Sequence, residues 1–426
     1  MSGYVATGST TGPRDKLATV SMVALGLLTL INLINYLDRY LVAGILTELQ
    51  KAFSIDQTHA GFVQSMFLVS YVIASPFAGY FGDRVPRKFL VAGGVLVWSV
   101  ATIASGLSET YAHLLIARAF IGVGEAGYAT VAPSLISDLF PRGWRGTMMS
   151  VFYAAIPIGS ALGFIVGGSV ASHYGWRSAF FVAGGPGVLF ALIALFMREP
   201  VRGSNDEEQT APAPPLLDGL RQLLRNTQFQ FINVGYTLLT FAIGGLAVWM
   251  PTFFIKVHGL PMDKADFVFG IITVIAGFGG TAAGGIAGDM ALKRNAGGYL
   301  WISGVGLLLG APFAIATAFA PSAGMAYAMS GLAMFFLFFN TGPINAALVN
   351  CVPATLRALA VSADILCIHL LGDAPAAPII GKVADAFDLR FAVAANAIPI
   401  VLGGLVLLAG ARRANGSPAS ASATPA

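Results

Sequence analysis

Charge is what this chain has least of. Only 10% of its 426 residues are Asp, Glu, Lys or Arg, while 56% are hydrophobic and the mean hydropathy is +0.76. A soluble globular protein is roughly 25% charged, so a water-facing surface cannot be assembled from this composition. Cysteine is nearly absent too. Cys351 and Cys367 both lie in apolar text without metal-ligand spacing, and read as small buried hydrophobes rather than a disulfide or a metal site. There is no basic block behind the net charge of +4, which excludes nucleic acid as a partner. No G-x-S-x-G, nucleotide-binding loop or His/Asp/Glu cluster at metal spacing occurs, so neither a hydrolase nor an ATP-driven pump is expected, and no cofactor. The first sixteen residues are polar and the first apolar run is too long for a signal h-region, so a cleaved leader is not expected.

What remains is apolar text in long runs. A bilayer core needs about 20 apolar residues of helix, and twelve runs satisfy that length: 17–48, 57–82, 88–107, 110–137, 146–172, 178–197, 226–256, 264–288, 297–319, 324–350, 357–382 and 391–411. The 51 glycines fall inside these runs, as in membrane helices where small residues let backbones approach. The fold class expected is an all-α membrane protein of two six-helix bundles. Residues 1–16 form a tail, 17–197 the first bundle, 198–225 a linker with an amphipathic helix over LLDGLRQLLRN, 226–411 the second bundle, and 412–426 a low-complexity tail. Most of the 24 Lys and Arg residues fall in loops on the N-terminal side; the other side holds only Lys51, Arg177, Lys256, Lys264, Lys382 and Arg390. The positive-inside rule then puts both termini in the cytoplasm.

The two halves echo each other. GYFGDRVPRK (79–88) follows run 2 and GIAGDMALKR (285–294) follows run 8, so Gly79, Gly82, Asp83, Arg87 and Lys88 match Gly285, Gly288, Asp289, Lys293 and Arg294. With twelve spans and a mid-chain linker, this duplicated loop resembles the major facilitator superfamily, whose two bundles rock about a central site. The resemblance implies a conformational latch made of Asp83, Arg84, Arg87, Arg145 and Asp289, with Asp83–Arg145 as its central pair. Pro86 stands where the family usually has Gly, and Met290 replaces the second Arg.

Charges inside the apolar runs cost about 2.5–3.5 kcal/mol each on insertion scales and persist only for a reason. They are Asp38 and Arg39 in run 1, Arg118 and Glu125 in run 4, and Asp364, His369 and Asp373 in run 11. Counting back to the span ends puts Asp38 and Arg118 at one depth, roughly 14 Å from the outer side at 1.5 Å per residue, so an Asp38–Arg118 pair is feasible. Glu125 lies two turns deeper on the Arg118 face, with no cation fixed beside it by sequence. A carboxylate in apolar surroundings suits proton coupling, so Asp38 and Glu125 are the coupling candidates. Asp38 and Arg39 are about 100° apart on the helix; Asp38 is expected to face the cavity and Arg39 to reach a neighbouring helix. A purely structural network is the competing reading. Asp364 reads as structural, and His369 as a packed, hydrogen-bonded ring.

Further text narrows the resemblance. INYLDRYLVAG, GVGEAGYATVAPSLISDLFP with FYAAIPIGSALGFIVGG, and HLLGDAPAAPIIGKVAD together look like the Spinster branch, over most of residues 20–400. The resemblance implies a secondary transporter working by alternating access, with protons and membrane lipids among its partners. Its substrate would be an amphiphilic anion of the lysophospholipid or sphingoid phosphate type. Arg118 and Arg39 would hold the head group, and Tyr128, Phe335, Phe339 and Asn340 would line the apolar part. The protein is expected to act as a monomer in a bacterial inner membrane. An organic-anion or drug/proton carrier of the same superfamily is the alternative. Gly159, Gly163 and Gly167 recur every four residues and read first as helix packing.

Overall fold

The computed structural model describes residues 13–82, 84–140, 142–201, 215–353 and 356–415. Twelve helices are long and apolar enough to cross a membrane. Spans 1 to 6 are Val20–Gly44, Gln57–Gly82, Arg87–Gly106, Tyr111–Leu139, Val151–Tyr174 and Trp176–Leu195. Spans 7 to 12 are Thr227–His258, Met262–Leu292, Gly298–Ala318, Ala323–Asn350, Leu359–Ala386 and Leu389–Ala414. No strand occurs among the described residues.

Several span starts are written by side-chain caps. Thr110, Asn226, Ser322 and Asp388 each accept a hydrogen bond from a backbone N–H in the first turn that follows, satisfying donors no helical carbonyl can reach. Asp56 does the same ahead of span 2, accepting from the His59 N–H at 2.7 Å, and that bond holds its carboxyl below the ordinary range. The linker helix expected over LLDGLRQLLRN is present as Leu216–Arg225, with Leu223 buried and Leu216, Leu217 and Leu224 exposed. Cys351 and Cys367 are unpaired and half-buried rather than buried.

Interruptions inside apolar runs were not expected; besides single-residue breaks at Ile45 and Asn396, three bear on the site. Span 4 breaks between Ala129 and Ala132, span 10 between Phe338 and Thr341, and span 11 carries a π-helical turn at Ile368–Asp373. Spans 4 and 10 are the fourth of each half, so the break is duplicated along with the loop motif. The two features meet: a Cβ on Gly82 would crowd Val131 at the first break, and one on Gly288 would crowd Pro343 just past the second. The copies diverge where their sequences do. Span 2 stops at Gly82 ahead of Pro86, whereas span 8 runs on through Asp289 to Leu292, since Pro86 has no N–H to continue a helix.

The first six spans pack chiefly on one another, as do the last six, and spans 1, 2 and 5 meet spans 7, 11 and 8. These meetings are closed on the far side, where residues 44–65 approach residues 256–270 and 374–385. There Ser65 donates to the Ala374 carbonyl, Asp385 accepts from the Gln57 and Thr58 N–H groups at 3.0 and 2.8 Å, and Lys256 donates to Gln50 at 2.6 Å. On the near side, where spans 2–3 and 8–9 connect, Phe77, Tyr80, Phe81, Ile286 and Met290 are exposed.

Candidate functional site

Glycine sets the geometry of the charged centre. A Cβ on Gly159, Gly163 or Gly167 would press on the carbonyls of Leu33, Leu37 or Leu41 in turn. Span 5 therefore lies against span 1 in an i, i+4, i+8 register, and this fixes the rotation of span 1. Gly122 does the same for span 4 against Phe67 and Tyr71 of span 2, and Gly124 against Gly94 and Trp98 of span 3. Close backbone approach of this kind is what small residues permit in membrane helices.

With span 1 so turned, Asp38 points into the interior of the first half. It is 1% exposed, accepts a hydrogen bond from the Thr102 hydroxyl, and lies 3.9 Å from Arg118 Nη1. Arg118 is itself fully buried, donating to the Val63 carbonyl and to Gln64 Oε1, each at 3.3 Å. The pairing anticipated from depth is present, but in a sealed place. Neither residue faces the space between the halves, which corrects the assignment of Asp38 to the cavity and of Arg118 to a head group.

Arg39 takes the position expected of Asp38. Its Nε donates to Glu125 Oε2 at 2.7 Å, its side chain is 11% exposed, and Glu125 beneath it is wholly buried. Glu125 therefore has the cation that the sequence did not supply, and Asn35 stands beside its carboxylate. The guanidinium lies 5.0 to 5.1 Å from the ring centres of Tyr36, Tyr71 and Phe67, within cation–π range. Phe67 also lies 5.2 Å from the Arg118 guanidinium. One buried phenyl ring thus separates the two ion pairs.

The second half faces this centre with the π-helical turn of span 11. His369 meets Tyr71 edge-on at 5.9 Å, and its Nδ1 lies 3.0 Å from Asp373 Oδ2. Both side chains are about one-fifth exposed, so His369 is hydrogen-bonded as expected yet also at the inter-half contact. A π turn offsets the helix by one residue and is frequent at functional sites. Asp364, on the near-side part of the same span, is buried and accepts from Asn233 at 3.0 Å.

Other expected residues lie elsewhere. Tyr128 is 1% exposed, donates its hydroxyl to the Leu28 carbonyl at 2.7 Å and packs on Trp98, so it braces span 4 instead of lining a binding surface. The Phe335 ring turns toward span 8 at Gly279, and the Phe339 ring toward span 9 at Gly306. Asn340 is fully buried at the span 10 break and donates to the Phe336 carbonyl of its own helix; its polarity serves the break. Arg84 is exposed and folds back on Tyr80. Arg87 is buried and pairs with Asp138 at 2.7 Å and Glu199 at 3.5 Å, all within the first half. Asp289 accepts from the Tyr299 hydroxyl at 2.8 Å. Asp83 and the Arg145 side chain lie outside the described residues. Thr102, Tyr36 and Tyr71 were missed, because a Thr or Tyr inside an apolar run carries no periodic signal. Asp266 was missed because it stands beside Asp263 and Lys264, where it reads as a charge at a span end.

Comparison with known proteins places this arrangement. The sequence model described as Major Facilitator Superfamily matches residues 28–372. Protein spinster homolog 1 of Bos taurus is 37% identical over 388 residues, which cover 86% of this chain and 73% of that protein. Protein spinster of Drosophila melanogaster is 34% identical, covering 84% of this chain and 61% of its own length. The sphingosine-1-phosphate transporter SPNS2 of Xenopus tropicalis is 33% identical, covering 91% and 81%. Among solved structures, a bacterial homologue of the human lysosomal transporter Spinster, in an inward-facing and unoccupied conformation, superposes with a TM-score of 0.85 at 22% identity. That match covers 94% of this chain and 99% of the other, and shows a shared fold.

Proposed function

Because this chain belongs to the Spinster-related branch of the Major Facilitator Superfamily and is a transporter rather than an enzyme, we propose that it moves an amphiphilic anion of the lysophospholipid or sphingoid phosphate type, coupled to protons, by alternating access. The observation that carries the reading is the Arg39–Glu125 pair. It joins a cation at the edge of the inter-half space to a carboxylate sealed beneath it.

The chemistry follows from competition for one guanidinium. Arg39 forms a planar fork suited to carboxylate or phosphate oxygens. When an anionic head group takes Arg39, Glu125 is left buried without its counter-ion, and a proton restores neutrality there. Anion and proton then load together, and the net charge of the centre is unchanged. Asp38 and Arg118 hold spans 1 and 4 in place while this happens. Tyr36, Tyr71 and Phe67 offer apolar and cation–π surface in place of the amide groups a sugar would need. A relative named as a sphingosine-1-phosphate transporter supports this cargo class. The distribution of Lys and Arg supports termini in the cytoplasm, and the location we assign is a bacterial inner membrane.

The test is uptake of lysophospholipid into proteoliposomes under an imposed pH gradient, preceded by native mass spectrometry for co-purifying lipid. Glu125→Gln is expected to keep folding and abolish the dependence of uptake on the gradient. Arg39→Ala is expected to abolish uptake itself. Unchanged pH dependence in Glu125→Gln would sink the coupling role. The organic-anion reading uses the same pair, and preference for short-chain anions over lysolipids in competition would favour it.

A further inference from the structure

One buried carboxylate, unlike Asp38, Glu125, Asp138 and Asp364, has no side-chain partner. Asp266 lies one turn inside span 8, on the closed far side, and is 0% exposed. Neither of its carboxylate oxygens has a hydrogen-bond partner, and no cation lies within ion-pair distance among the described residues. Its neighbours are backbone from the other half. A Cβ on Gly44 of span 1 would lie 3.3 Å from its Oδ2, and one on Gly168 of span 5 would overlap the carboxyl group. Asp266 therefore fills the seam between the halves, in a notch that only glycine leaves open.

The groups around it offer no compensation for a negative charge. Asp263, one turn earlier on its own helix, is acidic and acts on it through space. Tyr327 of span 10 faces it with a hydroxyl that has no partner. Spans 1 and 5 present glycine at the contact. His258, at the end of span 7, turns its ring onto Phe253 and Phe254. An ionised carboxylate sealed there makes no hydrogen bond, not even with the nearby Tyr327 hydroxyl, and has no counter-ion, the arrangement proteins avoid. The neutral acid has no such difficulty. When the halves part on this side, the same group meets water and can ionise.

We infer that Asp266 is a proton-binding site of the far-side seam, which must take up a proton for the two halves to close there and gives it up when they open. The inference rests on the alternating-access reading and on nothing assigned to Arg39 or Glu125. It places a second protonation event in the cycle, one that acts on the gate rather than on the cargo.

Spin labels at Ala52 and Ala386, both exposed and one in each half, in a C351S/C367S background, report the far-side opening by pulsed dipolar spectroscopy in lipid. The expected result for the wild type is a shift from short to long distances as pH rises at constant ionic strength. Asp266→Asn, and Asp266→Ser as a second variant, are expected to hold the short distance across the same range. Asp385, Lys256 and the Asp56–His59 pair remain intact in both variants. A wild-type distribution indifferent to pH, variants that follow the wild type, or opening governed by sodium at fixed pH would each overturn the inference. Failure of lysolipid uptake with this pH response intact would instead overturn the cargo reading alone.

Discussion

Two arginines share the ring of Phe67. Arg118 approaches it to 5.2 Å and Arg39 to 5.1 Å, and each is matched with a carboxylate on the partner span. Both pairs join span 1 to span 4, but they differ in depth, Glu125 lying two turns from Arg118, and in exposure. The Asp38–Arg118 pair is enclosed on every side by the first half, whereas Arg39 reaches the space where the halves face each other. A turn of about 100° between adjacent residues thus separates a pair that holds spans together from one that can exchange partners. An intramembrane charge is therefore read by which way its helix is turned, and here the turning is done by glycines on a different span.

The largest effect is expected where the enclosed pair is broken. Arg118→Ala leaves Asp38 buried without its cation, which costs about 3–5 kcal/mol; the expected outcome is a sharp fall in melting temperature in detergent and little folded protein. Arg39→Ala also strips a buried carboxylate, Glu125, of its cation, but the Arg39 side chain is 11% exposed and its removal lets water reach the gap, so a smaller fall in melting temperature is expected. Equal losses from both variants would erase the distinction between the pairs. Gly163→Ala tests what sets the rotation. Its Cβ would come to 2.5 Å from the Leu37 carbonyl oxygen, and such overpacking costs about 1–3 kcal/mol. Because spans 1 and 5 must move apart, uptake should fall along with stability, and uptake unaffected by the substitution would separate the helix contact from the site. The smallest effect is reserved for Tyr128→Phe. It removes one hydrogen bond to the Leu28 carbonyl, worth about 0.5–1.5 kcal/mol, and should leave substrate affinity by calorimetry unchanged. A weakened affinity would return Tyr128 to the binding surface.

The sequence made some of this legible and withheld the rest for physical reasons. Span number followed from hydropathy, because a bilayer imposes a minimum length that composition either meets or does not. The proximity of Asp38 and Arg118 followed from counting residues to a span end, since the rise of a helix is fixed. Facing could not be counted in this way. Adjacency gives the angle between Asp38 and Arg39 but not the absolute phase of span 1, which depends on where Gly159, Gly163 and Gly167 seat against it. The breaks in spans 4 and 10 were hidden in the same way, because Thr130 and Asn340 stand in apolar text that reads equally well as continuous helix. Asn340 satisfies its own helix, and an aromatic run beside it gave no sign of that.

The far-side seam has one more consequence. Gly61 meets the backbone of Ala377 and Pro378, Gly381 meets the Gln57 carbonyl, and Gly270 meets that of Ala161. These are smooth surfaces laid flat on each other, with few side chains threaded across. Apart from Asp266, which must leave its notch against Gly44 and Gly168, a joint of that kind opens with few rotamers withdrawn from sockets, so little friction comes from packing itself. What must be supplied on opening is the wetting of a thin strip of peptide groups and of the few polar side chains that bridge it, Asp385, Lys256 and Ser65, and water is well suited to that task.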